Sequence, residues 1–199
     1  MAEPHVVEAL LPLAEALEAL GIRYYVVGSV ASSLHGVARA SLDADIVAEL
    51  SPLAVDELIA RLEHVYYIPR ARLRSAAAER TSCNLIHLAT AFKIDLFVSK
   101  GRPIDMRAAD RARAASLVQA ANTRSFPVAS REDVVLAKLE WFRRGGETSE
   151  SQWWDILGLL KVADQPDWAY LEQWAGELGI ADLLQRVRDD AVGAPGPDE

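Results

Sequence analysis

The chain has 199 residues, of which 51% are hydrophobic and 25% charged, and these fractions exclude disorder over most of its length. The net charge of −8 argues against a broad, non-specific nucleic-acid binder, which would show a basic surface. The single cysteine excludes an internal disulfide framework, and no apolar run approaches the length of a membrane helix. We therefore expect a cytoplasmic protein with no membrane partner, formed by one domain or by one domain with a helical appendage.

The predicted elements begin with an amphipathic helix over residues 4–20. A strand over 23–27 leads into Gly28 and Ser29, and a short helix follows to about residue 35. Glycine and serine at the start of a helix can expose backbone N–H groups to a phosphate, where the positive end of the helix dipole lies. The simpler interpretation is that this pair only caps the helix.

Two aspartates open the next predicted strand, over residues 43–49. Asp43 and Asp45 are two positions apart, so on a strand both carboxylates point to the same face. Clustered carboxylates repel one another unless a cation lies between them, and Mg²⁺ prefers such hard oxygen ligands. A phosphate site beside a magnesium site is the minimal equipment for phosphoryl or nucleotidyl transfer. Alone, an Asp-x-Asp pair is more often a turn or a solvated strand edge.

A third carboxylate lies inside a later strand pattern. The elements predicted after the aspartate pair are a helix from Ser51 to about 63, a strand at 65–68, a helix near 70–79, and a hairpin of strands 84–89 and 92–98. Asp95 lies in the middle of the last strand, where burial without a partner is costly. Lys93 could pair with it, although i, i+2 on one strand is a poor ion-pair spacing. If the strands are neighbours, Asp43, Asp45 and Asp95 meet at one metal site.

The order of these features resembles the core of the nucleotidyltransferase superfamily with the DNA polymerase β-type fold, and more closely the bacterial AbiEii toxin type and its uncharacterised relatives. The residues that carry the resemblance are Gly28, Ser29, Arg39, Ser41, Asp43, Asp45 and Asp95. It implies an α/β (α+β) fold, in which helices flank a mixed β-sheet and a C-terminal helical bundle follows.

The resemblance also implies an enzyme and assigns roles within it. Asp43, Asp45 and Asp95 would be catalytic and bind two Mg²⁺ ions, and a nucleoside triphosphate would be the substrate. The turn at Gly28 and Ser29 would hold the triphosphate, and Arg39 would hold the loop before Asp43 or reach a phosphate. Ser41 replaces a threonine often seen in this place and keeps its hydroxyl group.

The second half of the chain is predicted to be helical. The predicted elements are a helix at 104–114, an extended passage at 116–129, and helices at about 131–143, 150–162, 168–178 and 180–190. We therefore divide the chain into a nucleotidyltransferase core at 1–129, a helical region at 130–192 packed on it, and a disordered tail at 193–199. The five tryptophans all lie in the helical region, where they pack its core or line a pocket for a base.

Two residues of the helical region match motifs of the AbiEii type. Lys138 lies in an Ala-Lys-Leu sequence and would neutralise the triphosphate; the alternative is a solvated helix lysine. Asp155 matches a second motif and would support Lys138 or the turn at Gly28. In that motif a basic residue usually precedes the aspartate, whereas this chain has Trp154.

Three functions remain open at this point. The first is Mg²⁺-dependent transfer of a nucleoside monophosphate to RNA, for instance a tRNA, in a toxin–antitoxin context with an antitoxin partner. The second is nucleotidylation of a protein or of a small hydroxylated molecule such as an aminoglycoside. The third is a non-catalytic nucleotide-binding module that keeps the fold, against which the three intact aspartates argue.

Overall fold

The computed structural model describes residues 4–37, 43–118, 124–161 and 165–193. Arg39 and Ser41 lie outside these ranges, as does the predicted disordered tail beyond residue 193. No helix within the described ranges is long and apolar enough to cross a bilayer.

Helices and strands follow the predicted order closely. The helices are α1 (Pro4–Ala19), α2 (Gly28–Leu34), α3 (Val55–Leu62), α4 (Arg70–Glu79), α5 (Pro103–Arg111), α6 (Arg131–Arg144), α7 (Glu150–Lys161), α8 (Trp168–Leu178) and α9 (Ala181–Gly193). The strands are β1 (Tyr24–Val27), β2 (Asp43–Ala48), β3 (Tyr66–Tyr67), β4 (Ser82–His87), β5 (Lys93–Val98), β6 (Arg113–Ser116) and β7 (Ser125–Val128).

In the described part of the chain, seven strands form one mixed sheet in the order β3-β4-β5-β2-β1-β7-β6. The β2–β5 and β1–β7 pairs are parallel, and the other neighbours are antiparallel. This arrangement confirms the predicted mixed sheet flanked by helices. It also places β2, which carries two of the aspartates, between β1 and β5.

The two central strands bury alternate residues. Along β2, Ala44, Ile46 and Ala48 are buried, while the residues between them are partly exposed. The same pattern runs along β5, with Ile94, Leu96 and Val98 buried. Because side chains alternate between the faces of a strand, the partly exposed residues of both strands share the opposite face. That face carries all three aspartates.

The C-terminal helices pack together, as predicted. Helix α6 contacts α7 and α8, and α9 contacts α7 and α8, while α6 also contacts α2. The last contact brings the helical region against the short helix that follows β1. Trp153 and Trp174 are buried in this region, whereas Trp141 and Trp154 are exposed. Core packing therefore accounts for only part of the tryptophan set.

One predicted element is wrong at its end. The helix expected at 104–114 stops at Arg111, where Ala112 has the extended ψ of 138°. The residues that follow form β6, which pairs antiparallel with β7. This edge pairing overrides the helical propensity of the Arg/Ala sequence, because strand pairing supplies hydrogen bonds that local propensity does not anticipate.

Candidate active site

Strand register brings the three aspartates to one place on the sheet. Asp45 is the direct register partner of Asp95 in the parallel β2–β5 pair. Asp45 is also opposite Val27 in the antiparallel β1–β2 pair, directly before the turn into α2. Asp43 lies two positions before Asp45, on the same face. The carboxylates and the start of α2 are therefore neighbours.

The backbone of Gly28 lies very close to the carboxylate of Asp45. Its φ is +64°, and a Cβ atom built on it would lie 1.8 Å from Oδ2 of Asp45. A side chain at this position would therefore collide with the carboxylate, and its backbone would be strained as well. The glycine predicted to form a phosphate turn thus also allows Asp45 to pack against the start of α2.

The start of α2 has no side-chain cap. Val27 occupies the N-cap position and makes no side-chain hydrogen bond to the helix, so the simple capping interpretation of Gly28 and Ser29 is wrong. Because the first N–H groups of a helix lack intrahelical acceptors, those of Gly28 and Ser29 are suited to an incoming acceptor such as a phosphate oxygen.

The carboxylate of Asp45 is in an environment that opposes its charge. Burial raises the pKa of Asp45 to about 6, and the charges of Asp43 and Asp95 add to this rise. The positive charges of Lys138 and Lys93 act in the opposite direction. A carboxylate held in this way by its fold favours the binding of a further cation.

Lys93 provides one such cation. Its ammonium group lies 3.1 Å from Oδ2 of Asp43 and 3.0 Å from Oδ2 of Asp95. The expectation that Lys93 is badly spaced to pair with Asp95 is wrong. Lys93 shares the face of Asp95 and is the register partner of Asp43, so one ammonium group reaches both carboxylates.

The other carboxylate oxygen of Asp95, Oδ1, is not the one that contacts Lys93. Oδ1 of Asp95 is buried and has no hydrogen-bond partner among the described residues. Such an atom is costly in a folded protein and usually marks a missing ligand or water. No group of three or more Asp, Glu, His or Cys side chains in the described ranges is arranged so that it could hold a metal ion. With Lys93 in place, the shared metal site therefore stays a prediction.

The residues nevertheless suit a hard cation. The set combines three neighbouring carboxylates, one orphaned oxygen and a lysine ammonium group that already serves as their counter-ion. Carboxylate oxygens are what Mg²⁺ prefers, and it needs only one or two of them when a phosphate supplies others. Asp43, Asp45 and Asp95 are the residues that would hold it.

Lys138 and Asp155 form an ion pair close to the aspartates. Nζ of Lys138 lies 3.2 Å from Oδ2 of Asp155, and only 13% of each side chain is exposed. The solvated-lysine interpretation of Lys138 is therefore wrong. Trp154 is 63% exposed and is not among the described residues that line the neighbouring cleft.

A cleft of about 1050 Å³ opens between this face of the sheet and the C-terminal helices. Asp95 is not among the described residues that line it. The predicted site residues that do line it are Gly28, Ser29, Asp43, Asp45, Lys138 and Asp155.

One part of the cleft lining, called the far wall below, consists of Phe97, Arg102, Glu140 and Trp141. Its contacts were not predicted from the sequence. Arg102 donates to both carboxylate oxygens of Glu140, at 2.8 and 3.1 Å, and so joins the start of α5 to α6. The Phe97 and Trp141 rings meet edge to face with centroids 5.7 Å apart. Phe97 had a signal in the sequence, because it lies two residues after Asp95 and thus on the same face. The contacts of Arg102 and Trp141 depend on tertiary packing and left no such signal.

Comparison with known proteins gives the fold. No protein-family model matches the sequence, and no curated protein sequence matches it either. Among solved structures, the antibiotic-resistance factor ANT(2'')-Ia aligns with a TM-score of 0.54 at 12% identity, over 94% of this chain and 95% of that chain. An antigenic nucleotidyltransferase-like protein from Paracoccidioides brasiliensis aligns with a TM-score of 0.53 at 17% identity, over 90% and 93%.

A putative nucleotidyltransferase from Thermotoga maritima aligns with a TM-score of 0.50 at 15% identity, over 78% of this chain and 96% of that chain. At such identities the likeness shows the fold alone. The chain has the fold of the nucleotidyltransferase superfamily, as its sequence predicted. The closer likeness to the AbiEii type stays a prediction.

Proposed function

We propose that this chain is a Mg²⁺-dependent nucleotidyltransferase that moves a nucleoside monophosphate from a nucleoside triphosphate to an acceptor hydroxyl and releases pyrophosphate. One observation carries the proposal: the carboxylate of Asp45 packs against Gly28 at the start of α2 and is in register with Asp95. A phosphate site and a cation site so close together suit the triphosphate end of a nucleotide.

The triphosphate would lie between the sheet and helix α6. The N–H groups of Gly28 and Ser29 would donate to its oxygens at one side of the cleft. Lys138 would offset its charge at the other side, oriented by the ion pair with Asp155. Arg39 completes the proposed nucleotide-binding set and lies outside the described residues.

Asp43, Asp45 and Asp95 would hold Mg²⁺, as two ions in the arrangement that the family resemblance implies. When bound, Mg²⁺ neutralises charge on the phosphate oxygens and orients the attacking and leaving groups. Asp95 would accept the proton of the acceptor hydroxyl or hold the second ion, as the family resemblance implies. The hydroxyl oxygen forms the new bond to the α-phosphorus while the bond to pyrophosphate breaks, so atoms and charge balance.

The charges of the chain favour a small or protein acceptor over RNA. Outside the cleft, two of the three arginines of α4 are paired with carboxylates: Arg70 with Glu63, and Arg74 with Asp56 at 2.8 Å. Together with the net charge of −8, this leaves little basic surface for an RNA backbone. One relative of the same fold, ANT(2'')-Ia, is an antibiotic-resistance factor. Transfer to RNA and a toxin–antitoxin partnership rest on the family resemblance alone.

The test is transfer of label from each α-³²P nucleoside triphosphate, with Mg²⁺, into RNA, protein and small-molecule fractions of a cell lysate. We expect label in one fraction with the intact chain and none with Asp43→Ala or Asp95→Asn. Asp56→Ala is the matched control and should transfer normally, because Asp56 is an exposed aspartate that pairs with Arg74 and is not among the described residues that line the cleft.

The labelled fraction identifies the acceptor. Label in RNA would reverse our preference for a small or protein acceptor while confirming nucleotidyl transfer. Binding of a triphosphate without transfer into any fraction would contradict the proposed enzymatic activity and support a non-catalytic nucleotide-binding module instead.

A further inference from the structure

Lys93 occupies the space that a cation shared by Asp43 and Asp95 would need. Its ammonium group contacts Oδ2 of both residues, at 3.1 and 3.0 Å. These are charge-assisted hydrogen bonds within the ordinary distance range, and the positive charge of Lys93 repels a second cation that approaches the same two oxygens.

Burial also limits the access of a cation from the cleft to Asp95. Of the three aspartates, Asp43 and Asp45 line the cleft, whereas Asp95 is not among the described lining residues. Its remaining oxygen, Oδ1, is buried and unpaired. The side chain of Lys93 is 40% exposed, whereas that of Asp95 is only 19% exposed.

Lysine is suited to leave such a position. Its ammonium group is a compact charge on a flexible four-carbon stem, and the exposed part of the chain leaves it free to reach solvent. A divalent ion brings twice the charge and binds several oxygens at once, so it can replace the ammonium group at the cost of two hydrogen bonds. Loss of Lys93 without a replacement would leave the carboxylates to repel one another.

We propose that Lys93 is a tethered counter-ion that holds Asp43 and Asp95 together in the metal-free protein and that a divalent cation displaces it. Lys93 then lowers the affinity for a free metal ion and keeps the site folded until a metal–nucleotide complex arrives. This role rests on the proposed function, because it concerns the same metal site.

The test measures binding of Mn²⁺ alone by electron paramagnetic resonance, which detects the unbound ion. We expect Lys93→Met to bind Mn²⁺ about tenfold more tightly than the intact chain, since two charge-assisted contacts no longer compete. Lys93→Arg keeps the charge and should retain the lower affinity. Lys100→Met is the matched control, because Lys100 has a similar exposure of 38% and contacts Glu140 instead of an aspartate of the site.

A second measurement keeps the proposal testable if Lys93→Met folds poorly. Lys93→Gln removes the charge but keeps a hydrogen-bond donor. We expect its thermal unfolding midpoint to fall without metal and to rise more on adding Mn²⁺ than that of the intact chain. Adding Asp43→Ala to either variant should abolish the gain in Mn²⁺ affinity.

The outcomes separate this proposal from the proposed function. Equal Mn²⁺ affinity in the intact chain and Lys93→Met, lost in both when Asp43 is replaced by alanine, would overturn the role of Lys93 and leave the metal site standing. An Mn²⁺ affinity that Asp43→Ala leaves unchanged would overturn both proposals, because the ion would then bind elsewhere.

Discussion

Gly28 shows how a single residue can meet two demands at once. Its φ of +64° favours glycine, and the nearest atom to a Cβ at this position would be Oδ2 of Asp45 at 1.8 Å. The backbone conformation starts α2, and the missing side chain leaves room for the carboxylate. Any other amino acid would have to displace Asp45 from its place beside the helix.

Replacement of Gly28 by alanine should therefore abolish binding of Mg²⁺-ATP and destabilise the fold. Gly21→Ala is the control, because Gly21 has a φ of +67° but no atom within 4 Å of a Cβ. Gly21→Ala should lose only about 1–2 kcal/mol of folding stability, which is the cost of a left-handed backbone conformation for alanine. Its affinity for Mg²⁺-ATP should stay unchanged. Urea unfolding and calorimetric titration measure the two effects, and equal losses of affinity in both variants would contradict the role of Gly28.

Asp45 should oppose folding when no metal is bound. Burial and the charges of Asp43 and Asp95 raise its pKa to about 6, so its ionised form is unfavourable in the folded state. We expect Asp45→Asn to increase the free energy of unfolding in EDTA at pH 8 by about 1–3 kcal/mol and to abolish transfer. Denaturant titration provides the measurement. A variant less stable than the intact chain in EDTA would contradict this interpretation.

At the scale of elements, the link between α5 and α6 fixes the far wall of the cleft. Arg102 precedes α5, its backbone N–H donates to Asp105, and its guanidinium group holds both oxygens of Glu140 on α6. Burial would raise the pKa of Glu140, but its hydrogen bonds from Arg102 and the positive charges nearby lower it overall. The ionised form of Glu140 therefore stabilises the folded state.

This link predicts a dependence of stability on pH. The pKa of Glu140 in the folded chain lies below its ordinary value of 4.5, so its contribution is fully present above that value and disappears as the pH falls through the lowered pKa. We expect Glu140→Gln to lose about 1–3 kcal/mol at pH 7 and progressively less once the pH falls below 4.5. Urea unfolding from about pH 2 to about pH 7 tests this.

An exposed ion pair supplies the control for Glu140. Glu63 pairs with Arg70 at the surface, and its replacement by glutamine should cost less than about 1 kcal/mol at any of these pH values. A constant difference between Glu140→Gln and the intact chain over the whole range would show that the ionised form of Glu140 is not what stabilises the wall.

At the scale of the molecule, the cleft requires both halves of the chain. Lys138 and Asp155 come from the C-terminal helices, and Gly28 and Asp45 come from the sheet region. If both halves hold the triphosphate, Lys138→Met should weaken Mg²⁺-ATP binding about tenfold or more. Lys161→Met, at the exposed end of α7, should bind normally.

The variant Lys138→Met also leaves Asp155 without its lysine. The double variant Lys138→Met with Asp155→Asn removes both charges, and we expect it to bind Mg²⁺-ATP as weakly as the single variant. Calorimetric titration compares them. Recovery of normal affinity in the double variant would show that Lys138 neutralises Asp155 and makes no contact with the nucleotide.

Sequence patterns predicted the parts of this molecule that depend on local order. The spacing of Asp43 and Asp45 predicted that both lie on one face, because side chains alternate along any strand, and the alternation around Asp95 predicted its strand. That Asp95 shares their face depends on the parallel pairing of β2 with β5. The close approach of Asp45 to Gly28 and the bridge made by Lys93 depend on which strands pair and in which register. Neither could be deduced from one strand at a time.

The helical half was less predictable for a related reason. Trp141 and Trp153 look alike in the sequence, yet Trp153 is 8% exposed and Trp141 is 50% exposed at the cleft. Their difference comes from how α6 and α7 pack on each other and on the sheet. The end of α5 was missed because β7 provides a pairing edge for β6, a long-range interaction that outweighs local helical propensity.

The most direct test of the account is a crystal structure with Mn²⁺ and a non-hydrolysable nucleoside triphosphate, in which anomalous scattering locates the metal. We predict that the anomalous peak places Mn²⁺ against Asp43 and Asp45 and that phosphate oxygens accept from the N–H groups of Gly28 and Ser29. We also predict that Lys93 is turned away from Asp95. A triphosphate bound elsewhere, or a metal that contacts none of the three aspartates, would contradict the proposed site.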